Sequence, residues 1–175
     1  MSYRYFSNVE TNHHHYNQNL VKLTNCQNYL ELGVQRGICF QNIVPIVKRA
    51  IGVDIVDART TKIGEFYVSS TDDFFKKFNE TMDIIFIDAD HKYESVVRDF
   101  ENSLKILNEG GIILLHDTDP QESYLLAPDY CNDCHNIVNY IQDNHPELNI
   151  VTLPLTIAGL SIVMRKGERR INKLL

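Results

Sequence analysis

The feature that most constrains this chain is a recurring pattern: a short apolar run, a polar or acidic residue at its end, then a segment of helical period. It occurs at Tyr29-Leu30-Glu31-Leu32-Gly33-Val34-Gln35-Arg36-Gly37, Ile51-Gly52-Val53-Asp54, Phe86-Ile87-Asp88-Ala89-Asp90-His91 and Leu114-Leu115-His116-Asp117-Thr118. Such alternation is the pattern of a parallel sheet covered by helices. Ligands of such sheets gather at the carboxyl ends of the strands, where these acids and imidazoles fall. The pattern points to a nucleotide-like cofactor beside a polar reaction centre.

The first strand is expected at Asn28 to Leu32. A helix over Ile38 to Arg49 follows, which Pro45 should kink or delay, because an interior proline costs about 3 kcal/mol. Further strands are expected at Ala50 to Ile55, Glu65 to Ser69, Met82 to Asp88 and Ile112 to His116, the run from Met82 reading as a central strand buried on both faces. Ser70-Thr71-Asp72-Asp73 reads as a capping box opening a short helix through Phe78. The helix from Tyr93 to Asn108 sets Val96, Val97, Phe100, Leu104 and Leu107 on one stripe, and Glu109-Gly110-Gly111 ends it. After a loop with Pro120 and Pro128, a helix covers Asn132 to Asn144. Leu148 to Leu155 and Leu160 to Arg165 are joined by four residues, too few for a parallel crossover, so they form an antiparallel hairpin. The expected fold is an α/β three-layer sandwich whose seven-stranded sheet is parallel except for its last strand.

At 175 residues and 43% hydrophobic, the chain has material for one core. The expected organisation is a polar N-terminal segment 1–27, a single domain 28–166 and a tail 167–175. A net charge of -6 argues against a protein that lives on nucleic-acid phosphates. No apolar run approaches the roughly 20 residues of a membrane span, and no signal-peptide core is seen, so a cytoplasmic location is expected. Cys26, Cys39, Cys131 and Cys134 then read as free thiols. Cys131-Asn132-Asp133-Cys134-His135 matches haem attachment in form only, since that chemistry belongs to exported proteins.

The order of Glu31-x-Gly33-x-x-x-Gly37, strands ending in Asp54 and Asp88, Gly110-Gly111, a strand ending in His116-Asp117 and a closing hairpin resembles the class I S-adenosylmethionine-dependent methyltransferases. Ile87-Asp88-x-Asp90-His91-x-Tyr93-Glu94 and Gly110-Gly111-x-x-x-x-His116-Asp117 are similar to the small-molecule O-methyltransferase-like branch. The resemblance covers about Asn28 to Lys166. It implies a Rossmann-like fold, S-adenosylmethionine as cofactor and a small-molecule methyl acceptor. It also implies that Asp72 meets the adenine amino group, although helix capping explains that residue as well.

The residues themselves fit these roles. Gly33 and Gly37 allow a tight turn and close approach to a ligand, with a helix N-terminus beyond them suited to a carboxylate. Glu31 faces the cofactor's amino group, Asp54 accepts both ribose hydroxyls, and Ser70 stands beside Asp72 at the far end. Asp88, Asp90, His91, His116 and Asp117 crowd one rim. Asp88 and Asp117 there suit Mg²⁺ or another divalent cation. Catechol-type relatives carry an Asp-Asn pair after the fifth strand where this chain has Asp117-Thr118, and threonine is a poorer ligand. Without a metal, His91 or His116 serves as general base.

The leading expectation is O-methylation of a small polar metabolite such as a sugar or diol. The loop Thr118 to Tyr130 is the candidate lid, and a second copy of the chain is a possible partner that completes the pocket. His13-His14-His15 reads as part of a polar segment folding over the cofactor. Two alternatives stay open: a metal-dependent hydrolase using Asp88 and Asp117, and a non-catalytic cofactor-binding module.

Overall fold

The computed structural model describes residues 13–155 and 157–167. Residues 1–12 of the expected N-terminal segment, Thr156 of the hairpin connection and residues 168–175 of the expected tail lie outside the described residues. Seven strands form one sheet: β1 (Asn28–Leu32), β2 (Arg49–Asp54), β3 (Glu65–Val68), β4 (Met82–Ile87), β5 (Leu107–His116), β6 (Leu148–Leu153) and β7 (Leu160–Arg165). Their spatial order is β3, β2, β1, β4, β5, β7, β6. The first five strands are mutually parallel, and β7 runs antiparallel between β5 and β6. The hairpin therefore forms as expected, with its second strand inserted against β5.

The chain builds outward from β1 to β3, then returns to lay β4 on the other side of β1. That reversal opens a crevice at the carboxyl ends of β1 and β4. The register pairs Leu32 with Ile87, and the Asp88 amide donates to the Leu32 carbonyl at 2.8 Å. Asp54, Asp88 and His116-Asp117 consequently end their strands on one edge of the sheet.

Side chains alternate between two cores. Leu30, Leu32, Ile85 and Ile87 pack with Val96, Phe100, Ile137 and Ile141, contributed by α4 (Tyr93–Lys105) and α5 (Ile137–Asn144). Tyr29, Ile84 and Phe86 face the other way, against Val21 of α1 (His13–Leu23) and Phe40 and Ile43 of α2 (Ile38–Ile43). Both faces are thus dry, which explains the nearly continuous apolar run of β4. The third helix, α3 (Thr71–Phe75), packs beside α4. Among the described residues no helix is long and apolar enough to cross a membrane.

Several element bounds differ from the sequence reading. The helix expected to reach Arg49 stops at Ile43, because Pro45 stands in the first positions of a 3-10 turn, Val44–Ile46, where no N–H is needed. The helix expected to end at Asn108 stops at Lys105, and Glu109-Gly110-Gly111 belongs to β5. The β4–β5 register slips between Met82 and Ile84, and Gly110 there has φ +69°, the signature of a bulge. α3 ends at Phe75 rather than Phe78. Its Ser70 cap is half of the expected box: Ser70 Oγ accepts from the Asp73 amide at 3.1 Å, while the Asp73 carboxylate pairs with Lys76. The last helix, expected from Asn132, begins later: a 3-10 turn, Cys134–Asn136, precedes α5, which starts at Ile137. Residues 13–23, part of the segment read as polar, form α1.

Candidate active site

Two clefts open on the carboxyl edge of the sheet. The larger, about 440 Å³, runs past Asp54, Ser70, Asp72, Asp88 and Arg98. Its volume falls within the roughly 300–1,000 Å³ typical of small-molecule sites. The smaller, about 250 Å³, is walled by Glu31, Phe86, Asp88, His91, His116 and Asp117, with His13 and His14 closing it from α1. Gly33, Gln35 and Asp88 line both. The clefts therefore meet at the crevice between β1 and β4.

Asp54 ends β2 with its carboxylate on the rim of the larger cleft. Oδ2 accepts from the Gln35 amide at 2.8 Å, and Oδ1 from the Val56 amide at 3.3 Å. Gln35 holds φ +48°, so the turn after β1 is bent to present that amide. At the other end of the cleft Asp72 is exposed and pairs with Arg98 at 3.4 Å. Ser70 shares its hydroxyl with the cap of α3.

Gly33 has φ +85°, and a Cβ there would lie 2.0 Å from the Asp88 carbonyl oxygen. Its glycine is demanded by the close approach of the β1 and β4 ends. Gly37 does not line either cleft as described: its amide donates to Val34, and a Cβ would meet Arg59 Cγ at 3.1 Å. Gly37, expected to approach the ligand, lies against the buried Arg59. α2 spans only six residues, too short for the helix-terminus carboxylate site expected beyond Gly37.

Because side chains alternate along β1, Glu31 shares a face with Tyr29, and the Tyr29 hydroxyl donates to its carboxylate at 2.7 Å. Burial pushes the Glu31 carboxyl up to about 8, with the Tyr29 hydrogen bond offsetting part of the effect. Glu31 is thus largely protonated at neutral pH in the ligand-free protein.

Four of the expected rim residues form one cluster. His116 Nδ1 lies 3.1 Å from Asp88 Oδ1 and 3.1 Å from Asp117 Oδ1, and His91 Nε2 lies 3.2 Å from Asp117 Oδ2. His91 Nδ1 meets the Tyr130 carbonyl. Asp88, foremost, with the Tyr130 carbonyl and Asp117, holds His91 up at about 9 against its burial. Burial disfavours charge on His116, but Asp88 and Asp117 raise its pKa nonetheless. Burial would push Asp88 up, yet the neighbouring imidazoles, His116 first, hold it well below the usual carboxylate range. Both nitrogens of His91 are engaged, Nε2 by Asp117 and Nδ1 by the Tyr130 carbonyl, so in this arrangement its ring orients the Asp117 carboxylate. Asp90, expected in the same cluster, is exposed and accepts from Ser95 at 2.8 Å instead.

Asp117 is 6% exposed and sits at φ +59°, a conformation uncommon for a non-glycine residue. The loop after it is tied to the β6–β7 connection, Asp119 N donating to the Ala158 carbonyl at 2.7 Å. Thr118 is turned to β7, where Ser161 Oγ donates to its hydroxyl at 2.8 Å. The Cys-x-x-Cys segment supports the cluster from behind: all four cysteines are free and buried, and Cys134 Sγ donates to the Asp117 carbonyl at 3.3 Å.

His13, read in the sequence as part of a segment folding over the cofactor, is a wall of the smaller cleft, although no individual role was expected of it. The ring centroids of His13 and His116 are 4.0 Å apart, and burial, with His116 and His14 nearby, lowers the His13 pKa to about 3. The histidine run was visible, but its partner lies on a distant strand end. Gln35 and Arg98 were missed, one acting through its backbone and the other through a helix-to-helix pair.

The architecture defines a class I methyltransferase-type fold. A model of the family described as "Methyltransferase domain" matches residues 6–118, and the chain belongs to that family. Among solved structures, the O-methyltransferase from Bacillus cereus in complex with SAH is similar at a TM-score of 0.73 and 18% identity, over 88% of this chain and 80% of that one. TomG, an O-methyltransferase from Streptomyces achromogenes involved in tomaymycin synthesis and solved with SAM, gives 0.67 and 14%, over 89% and 80%. An uncharacterized protein, R132, of Acanthamoeba polyphaga mimivirus is 38% identical over 61 residues, or 35% of this chain and 26% of that protein. The match thus spans about a quarter of the relative's length.

Proposed function

We propose that this chain binds S-adenosylmethionine in the larger cleft and transfers its methyl group to an oxygen of a small polar metabolite, such as a sugar or diol, held in the smaller one. The observation that carries this reading is the sharing of Gly33, Gln35 and Asp88 by both clefts. A cofactor held in the first cleft would supply the methyl group, and the rim formed by Gly33, Gln35 and Asp88 would bring an acceptor in the second within reach of it. The larger cleft fits the nucleoside part of the cofactor, with Asp54 taking the ribose hydroxyls and Ser70 and Asp72 flanking the adenine, while the ammonium end would cross the shared rim to Glu31 in the wall of the smaller cleft. In the transfer the acceptor oxygen bonds to the methyl carbon, the carbon–sulfur bond breaks to give S-adenosylhomocysteine, and the hydroxyl proton passes to the acid–imidazole cluster.

Asp88, His91, His116 and Asp117 form that cluster and orient the acceptor hydroxyl. Asp88 and Asp117 are also the carboxylates that would hold a divalent cation, which when bound makes a hydroxyl more acidic. Mg²⁺ fits them poorly, because it demands a near-octahedral shell of oxygens. Here imidazoles occupy the carboxylates and the Thr118 hydroxyl is engaged by Ser161.

Calorimetric titration with S-adenosylmethionine and S-adenosylhomocysteine tests the reading. Saturable binding is expected, weakened at least about tenfold by Asp54→Ala, since a hydrogen bond to a charged group contributes about 1.5–3 kcal/mol. No binding of either compound at millimolar concentration would sink the proposal.

A further inference from the structure

We infer that the acceptor is a small hydroxycarboxylate, such as a sugar acid, whose carboxylate is held by Arg36 at the mouth of the smaller cleft while its hydroxyls meet His13 and the strand-end cluster. The inference rests on the methyltransferase reading and narrows its acceptor from polar metabolites to anions.

Arg36 is fixed through its backbone, and its side chain is left free. It stands in the tight turn after β1, which the Gly37 amide closes onto the Val34 carbonyl at 2.8 Å and in which Gln35 holds φ +48°. The Arg36 carbonyl accepts from the Thr60 amide at 3.0 Å and from Thr60 Oγ1 at 3.3 Å, so the loop between β2 and β3 pins the turn. The side chain is exposed and lines the smaller cleft but not the larger. Among the described residues it has no hydrogen bond or ion pair.

The other charges of the cleft are already matched. Asp88 pairs with His116, Asp117 with His91 and His116, and Glu31 accepts from the Tyr29 hydroxyl. Among the described residues Arg36 is the only lysine or arginine lining the cleft, so its guanidinium is the charge left unbalanced there. A guanidinium presents its donors in a planar fork that fits a carboxylate with two parallel bonds. A phosphate monoester would bring a charge of about −1.5 to −2, more than one arginine balances beside Asp88 and Asp117.

A second, independent feature specifies hydroxyls. Among the described residues, both ring nitrogens of His13 and Nε2 of His116 are shut off from solvent without a hydrogen-bond partner, and both rings line the same cleft. Burial keeps His13 neutral, so its ring offers one N–H and one lone pair. A hydroxyl complements both, because it accepts one bond and donates another; a carboxylate alone would leave the lone pair unmet. The cleft holds about 250 Å³, below the roughly 300–1,000 Å³ of drug-sized sites, so one small molecule must carry both kinds of group.

The cofactor is the rival claimant of Arg36, since its amino-acid end also carries a carboxylate. That carboxylate shares a carbon with the ammonium assigned to Glu31, which is 1% exposed at the floor of the cleft, whereas Arg36 is exposed at its mouth.

The test is calorimetric titration of the full chain, saturated with S-adenosylhomocysteine, with three matched pairs: D-glucuronate and D-glucose, D-gluconate and D-sorbitol, glycolate and ethylene glycol. D-glucose 6-phosphate serves as the phosphate arm. At least one acid is expected to bind about tenfold or more tightly than its neutral counterpart, as a hydrogen bond to a charged group allows. Arg36→Gln should remove that preference, Arg36→Lys should restore part of it, and neither should change the affinity for S-adenosylhomocysteine. His13→Gln should weaken binding of the acid, whereas His15→Gln, on an exposed residue, should not. Absence of acid binding at tens of millimolar, neutral compounds binding as tightly as their acids, tighter binding of glucose 6-phosphate, or a preference that survives Arg36→Gln would each overturn the assignment. Loss of S-adenosylhomocysteine affinity in Arg36→Gln would give the guanidinium to the cofactor and overturn it as well. If the parent chain binds no S-adenosylhomocysteine, the methyltransferase reading fails, and the same pairs titrated into the unloaded protein decide the carboxylate site by itself.

Discussion

At the residue scale, the chemistry turns on which groups hold protons. Glu31 is buried on the face it shares with Tyr29, and its pKa stands at about 8 against an ordinary 4.5. The folded chain therefore binds more protons than the unfolded one between those values, and stability falls as pH rises through that window. Glu31→Gln keeps an acceptor for the Tyr29 hydroxyl and removes the ionisation. Its denaturation curves should lose most of this slope, leaving the variant more stable than the parent above pH 8 by on the order of a few kcal/mol. Equal pH dependence in the two proteins would show that Glu31 ionises freely in the fold. Asp54, Asp88 and Asp117 were legible because each follows an apolar strand, a purely local signal. The His13–His15 run was read only as a segment over the cofactor, and the packing of His13 on His116 was not legible, nor was the Gln35 amide, because one acts across the fold and the other through its backbone.

At the scale of elements, most strand bounds were legible to within a residue, although β5 starts five residues before the expected Ile112 and β6 ends two before the expected Leu155, and the helix ends were less legible. β4 and β5 are buried on both faces, so their composition marks them wherever they lie. Helix ends depend on turn geometry, which tertiary contacts decide: Asp133, from the segment before α5, accepts from the Tyr93 amide at 2.9 Å and caps α4 across 40 residues. Pro45 shows the difference in energy terms. Inside a helix it would cost about 3 kcal/mol, but it sits exposed in a 3-10 turn, where its fixed φ restricts the unfolded chain. Pro45→Ala should therefore leave urea-denaturation stability unchanged or lower it by up to about 1 kcal/mol. A gain of several kcal/mol would mean that α2 is a strained continuous helix after all.

At the scale of the whole molecule, the question is whether residues 28–166 fold as a unit without what precedes them. The seven strands follow from local patterns, but their spatial order, with β4 returning to the far side of β1 and β7 inserted between β5 and β6, is decided by tertiary packing. α1 left no such trace, because its sequence, HHHYNQNLVKL, is polar overall. In the fold it nevertheless covers the second core: Val21 is 1% exposed, and fully buried Asn17 donates to Cys39 Sγ at 3.6 Å above Tyr29 and Phe40. Burying one valine contributes about 1.5–3 kcal/mol, and uncovering its neighbours adds to the loss. The total is a large fraction of the 5–15 kcal/mol typical of a domain. At about 2–4 °C per kcal/mol for a chain of this size, a fragment of residues 28–166 should melt roughly 10 °C or more below the full chain, or lack a cooperative transition. Calorimetry of the two proteins checks this, and coincident midpoints would make α1 an appendage rather than part of the folding unit. If α1 belongs to that unit, the helix that seals the second core also delivers His13 to the strand ends, so loss of packing and opening of the reaction site are one event.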